Sequence, residues 1–257
     1  MGHIRLGRLP RTRGWTAVFD ILEAGDGDAV ALAKAVASAS ARDLDTLHGA
    51  PGVVGDGLWV LAVLGEGGDA DDLVSRLDGL GWRGLDVATP AALVSGLPPQ
   101  ECRSGVGAVF CEMADLSIRS ALSRYLASGS LSLFGTARDD VAASCRDLGR
   151  PATFAQVARD YLAEFMSRVV RYSVDRESSN FMGTSHAWST SGDLLELGDR
   201  LDAYCRESSL LVRDFAEGWY SKTRYHSEEG VTREAATGFA AHALTKLRQD
   251  MEGCADE

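Results

Sequence analysis

After Pro151 the chain contains no proline, and 21 of its 28 glycines lie at or before that position. Proline removes a helical N–H and clashes with the preceding turn, so its absence over 106 residues licenses long helices. Lysine is scarce, with 3 against 23 arginines, a bias toward arginine-type codons that carries no functional content. Apolar runs are short. The longest, Leu58 to Leu64, falls far below the ~20 residues that span a bilayer. The five cysteines (Cys102, Cys111, Cys145, Cys205, Cys254) show no C-x-x-C spacing, which argues against a zinc site or a disulfide framework and for a reducing cytoplasm. No apolar stretch follows the N-terminal arginines, so a secretory signal is not expected. The net charge of −11 disfavours a general nucleic-acid binder, which needs clustered Lys and Arg.

With 45% apolar and 25% charged residues in 257, there is material for a substantial core. The charge is unevenly spread. Residues 1–13 carry Arg5, Arg8, Arg11 and Arg13 and no acid, whereas 14–102 hold four basic and fourteen acidic residues. An arm of this kind either lies back on its own acidic domain or docks on an acidic partner or on nucleic acid, where Arg suits bidentate contacts, and Ile4, Leu6 and Leu9 suit a segment that packs.

The dominant pattern is helical. Leu194, Leu197, Leu201, Tyr204, Leu211, Phe215 and Trp219 recur at steps of three, four or seven, predicting one rod from Ser191 to Lys222 of roughly 45 Å. Pro151 or Thr153 opens a helix carrying Phe154, Val157, Tyr161, Phe165, Val169 and Tyr172 on one face. A last helix from Thr232 aligns Ala236, Phe239, Ala243, Leu247 and Met251. Upstream, shorter helices are expected at 15–22, 28–48 and 69–80. The stretch 53–64 reads as a buried helix with a strand left open. Residues 101–127 read as a central, well-buried helix. These readings give an all-α protein: a basic arm (1–13), an irregular multi-helix N-terminal part (14–150), and a C-terminal antiparallel bundle of long helices (151–257) on which it packs.

Three stretches carry candidate chemistry. The first, Arg176 to Thr190, is a long bundle connection whose Phe181, His186 and Trp188 suit folding onto the bundle end or meeting a partner. Its Ser185–His186 pair lacks the strand–turn–helix context of a nucleophile, and His186 and His226 fall at opposite bundle ends, so neither a triad nor a metal site is expected. The second, Arg213 to His226, concentrates Tyr220, Arg224 and Tyr225, residue types that anchor interfaces. The third is Arg42 to His48.

Arg42-Asp-Leu-Asp-Thr-Leu-His48 is similar to the R-x(4–6)-H motif of HEPN-type helical ribonucleases. That resemblance implies Arg42 and His48 facing a scissile RNA phosphate, usually across a dimer. About one accidental match of this form is expected in a chain with 23 arginines and five histidines, so the helix-ending reading is preferred. The 213–226 stretch resembles, in type only, helical accessory proteins of bacterial phage-defence systems. The expected function is a non-catalytic interaction or accessory subunit of a cytoplasmic complex, with a larger protein partner or a second copy, no cofactor, no membrane and no direct nucleic-acid binding. A HEPN-like ribonuclease or other nucleic-acid-processing enzyme is the alternative.

Overall fold

A computed structural model describes residues 9–25, 28–45, 50–82, 87–97, 106–129, 137–181, 190–227 and 230–253. Every regular element among them is helical, so the chain is all-α. The helices are α1 (Arg13–Ala24), α2 (Ala29–Ala39), α3 (Ala41–Asp45), α4 (Ala50–Gly65), α5 (Ala70–Gly79) and α6 (Pro90–Gly96), followed by α7 (Val106–Ser128), α8 (Ala137–Asp147), α9 (Pro151–Ser178), α10 (Ser191–Ser208), α11 (Leu210–His226) and α12 (Arg233–Glu252). Local chemistry sets their ends. Asp28, Asp69, Thr89 and Thr232 each accept a first-turn N–H, and Thr190 with Asp193 forms a capping box. The stretch around 53–64 is helical throughout, which resolves the strand alternative.

The expected single rod is broken at Ser209. Its hydroxyl donates to the Cys205 carbonyl at 2.6 Å, and Val212 N–H reaches Ser209 O instead of the carbonyl four residues back. A serine that bonds back to the preceding turn competes with the helical ladder and bends it. The core stripe keeps the expected Leu197 and Leu201 and is displaced beyond them. Leu197, Gly198, Leu201, Cys205 and Ser208 of α10, then Val212, Ala216 and Tyr220 of α11, are the buried positions. Leu194, Tyr204, Leu211, Phe215 and Trp219 are half-buried along the edges.

The organising element is α9, not the 191–222 segment and not residues 101–127. Phe154, Val157, Tyr161, Phe165 and Val169 are buried, as the periodicity predicts, whereas Tyr172, expected on the same face, is only half-buried; Ala158, Leu162, Met166, Val170 and Val174 are buried around the rest of its girth. It packs on α7, α10 and α11, with further contacts to α4 and α2. By contrast α7 is amphipathic and exposes Glu112, Leu116 and Arg124.

Residues on both sides of Pro151 form one cluster rather than two separate cores. The last helix packs chiefly on α4, not on its C-terminal neighbours. Gly55 makes that crossing close: a methyl there would lie 2.6 Å from Thr237 Cα. Arg233 then clasps α4 from outside, with its guanidinium 4.2 Å from the Trp59 ring centroid and 3.3 Å from Asp56. From below, the Tyr161 hydroxyl donates to Val54 O at 3.3 Å.

Two further expectations need adjusting. The connection read as 176–190 begins later, because α9 runs through Ser178 and a 3-10 turn covers Ser179–Phe181. Cys145 and Cys205 are buried free thiols, as expected, but Cys111 is disulfide-bonded. No described helix is long and apolar enough to cross a membrane.

A charged groove along the central helix

On a helix otherwise buried almost all round, Asp160, Glu164, Arg168, Arg171 and Asp175 follow one another at steps of three and four. That spacing sets them in a single row on one side. Over fifteen residues the row is about 22 Å long. It remains accessible because α7 and α10 flank α9 without closing over it, leaving a groove.

The wider part of the groove, about 600 Å³, has Val109, Glu112, Met113 and Leu116 of α7 along one wall and Asp202 of α10 on the other. A narrower continuation of about 190 Å³ shares Glu164 and Ser167 and runs on past Arg124, Asp160 and Arg206. Leu116 is 45% exposed on the rim, a large apolar side chain left to solvent.

The floor is a set of mutually engaged charges. Glu164 accepts from Arg124 at 2.5 Å and from Arg168 at 3.5 Å. Asp202 accepts from Arg171 at 3.1 Å and from the Ser167 hydroxyl. Burial raises the Asp175 carboxyl above its ordinary pKa, Arg171 draws it back, and Asp202 adds to the rise. The lining of the wider part includes Glu112, Glu164, Asp175 and Asp202 beside Arg168 and Arg171, so it is acidic on balance. Charges engaged in this way hold each other's geometry. They suit recognition of a charged surface better than proton transfer, which needs a group released to the substrate.

The residues singled out in the sequence are dispersed. Arg11 and Phe181 do meet, at a shallow surface cleft of about 590 Å³ beside Phe19, Asp20 and Glu23. Arg11 stands over the Phe19 ring at 5.7 Å. Arg13 is exposed at the start of α1, and Arg42 is exposed on α3. Tyr220 cannot serve as a partner contact: it is fully buried, stacked on Phe154. Its place in the motif fell on the face turned to α9. Arg224 is a structural tie, donating to Gly149 O at 2.6 Å. Tyr225, 85% exposed, is open to a partner. Arg5, Arg8, His48, His186 and Trp188 lie outside the described residues, so Arg42 and His48 cannot be placed as a pair. Among the described residues no three His, Cys, Asp or Glu side chains group as metal ligands.

The arm's described end lies back on its own protein. Leu9 is buried, and its N–H donates to Glu177 Oε1 at 2.7 Å, while Asn180 donates to the other carboxylate oxygen at 2.9 Å. The sequence reading passed over Glu177 and the groove residues. The row of charges at helical spacing inside an otherwise apolar helix was the available signal. Comparison with protein-family models, with curated proteins and with solved structures finds no match to this chain.

Proposed function

We propose that this chain is a non-catalytic accessory subunit of a bacterial intracellular complex, working by protein–protein contact through the α9 groove. The observation that carries the reading is the pairing of an apolar rim (Val109, Met113, Leu116) with an acidic floor whose charges are held in place by one another. Its occupant is a segment of a larger protein partner that presents aliphatic residues beside arginine or lysine. The aliphatic groups cover Leu116. The basic groups meet the exposed Glu112 on the α7 wall. The disulfide at Cys111 weighs against the reducing setting expected from cysteine spacing, and the buried thiols of Cys145 and Cys205 do not decide the compartment. A phage-defence role is the setting implied by the resemblance of residues 213–226.

The test pairs capture with a surface variant. Tagged wild type and a Leu116→Asp/Glu112→Arg variant are expressed in the native host, and co-purifying proteins are compared by mass spectrometry. A partner held by wild type and lost by the variant, with circular dichroism unchanged, supports the groove. Identical captures from both, or a self-associated chain as the sole product, would overturn it.

A further inference from the structure

Helix α11 has a second side that its own fold does not use. Val212, Ala216 and Tyr220 are buried toward α9. On the side turned directly away from them, Leu210, Asp214, Glu217, Ser221 and Tyr225 follow at steps of three and four, which sets them in one exposed row. A large apolar or aromatic side chain stands at each end of that row: Leu210 is 52% exposed in the first turn and Tyr225 85% in the last.

Gly218 lies beside the row at its middle. Glycine weakens a helix interior relative to alanine, and it is useful where another backbone must come close. The crossing with α12 accounts for Gly55, but a methyl at Gly218 would meet nothing within 4 Å. Nothing among the described residues therefore requires a glycine there.

The charges are ordered about the same point. Asp214 lies four residues before Gly218 and Lys222 four residues after it. Both are exposed, and among the described residues no ion pair engages either side chain. An antiparallel copy of α11 centred on Gly218 would bring positions equally far before and after it face to face. Asp214 of each copy then meets Lys222 of the other, and the leucines at the start of one helix meet Tyr225 at the end of the other. Glu217, beside the centre, is set near its own counterpart, and Arg213, one turn earlier on the same edge, offsets it. A parallel copy would instead oppose Asp214 to Asp214 and Lys222 to Lys222.

We propose that α11 pairs antiparallel with α11 of a second copy of this chain, through the face centred on Gly218. Such a contact is isologous, the same patch serving both subunits. One helix face is a small interface, so association is weak and rises with concentration. No residue lining the α9 groove belongs to α11, so the pairing stands without the groove reading.

Sedimentation equilibrium of the full chain over a micromolar-to-millimolar range tests it. The wild type shifts from monomer to dimer. Gly218→Gln places a good helix former in open space, so circular dichroism and the thermal midpoint are kept or raised while the dimer is lost. Asp214→Lys and Lys222→Asp each weaken the dimer about tenfold by setting like charges together. Mixing those two variants restores it, because every lysine then faces an aspartate, and a parallel pairing would show no such rescue. A wild type that stays monomeric, a dimer indifferent to Gly218→Gln, or single variants that fail to pair when mixed would each overturn the proposal.

Discussion

Tyr220 lies flat against Phe154, with ring centroids 3.9 Å apart and planes 4° from parallel. Both side chains are wholly buried, and the stack joins the start of α9 to the end of α11. A few ångströms away Trp219 stacks on Phe239 at 4.2 Å, carrying the contact on to α12. Phe215, one turn earlier, keeps a solvent-facing side and meets Phe239 and His242 at its edges. Tyr220→Ala is accordingly expected to destabilise by about 3–5 kcal/mol, the range for large core truncations. Phe215→Ala, which removes less buried area, is expected to cost about 1–2 kcal/mol. Urea unfolding of the two variants checks the order. A larger loss at Phe215 would restore the stripe expected from the sequence.

The Leu9 anchor gives a local prediction. Glu177→Ala removes the acceptor of a buried backbone N–H, a loss of about 1–3 kcal/mol. Leu9, leading into residues 9–13, and Asn180 depend directly on it, so the effect is concentrated at the arm and the end of α9. Trypsin should cut after Arg11 or Arg13 at least several-fold faster in the variant, with helix content unchanged. Equal cleavage rates would show that Leu9 is held by packing alone.

Alkaline pH should unfold the protein ahead of its surface groups. Burial raises the Cys145 and Cys205 thiols from 9.0 to about 12. Burial, with the nearby Asp147, raises the Tyr125 phenol as well. All three are neutral when protonated, and the folded state holds its proton more tightly than the unfolded one. Their contribution is therefore complete below pH 9 and declines as pH climbs from 9 toward 12. Thermal midpoints in reducing buffer should be level between about pH 7 and 8 and fall beyond 9. Cys145→Ala should flatten part of that fall. An unchanged slope would remove the thiol from this account.

The cysteines can also be counted. With Cys111 in a disulfide, three of the five thiols remain titratable in denatured, unreduced protein. Reductant should restore all five. Five before reduction would mean that Cys111 is a thiol in solution and would favour the reducing compartment expected from cysteine spacing.

What the sequence made legible was period and punctuation. Pro151 does open the longest helix, and the face read for α12 (Ala236, Phe239, Ala243, Leu247, Met251) is buried residue for residue. The 191–222 stripe held at Leu197 and Leu201, but from Tyr204 onward it was misplaced by one position because bulky residues were taken as the core. Small ones, Cys205, Ser208 and Ala216, stand where α10 and α11 turn toward the core. The break at Ser209 depends on which carbonyl a hydroxyl reaches, and periodicity is blind to that. Which helix pairs with which is likewise not a property of spacing. Gly55 lies in the stretch where a strand was left open, and its missing side chain is what lets α12 approach. The groove stayed hidden because a charge row reads as a solvated face until flanking helices are seen to wall it. For the HEPN-like pair, Arg42 is visible and exposed, and it offers no geometry for His48.

The crossing of α4 and α12 also orders events in time. Arg233 and Asp56, which meet at that crossing, are 177 residues apart in the chain. A ribosome that has completed α4 therefore displays its glycine-notched face with nothing to cover it until the final helix emerges. Contacts of such long sequence separation are slow to close and leave apolar surface bare in the interval. Helix α4 is thus made early and covered last, and its uncovered state is the one in which a chaperone would first encounter it.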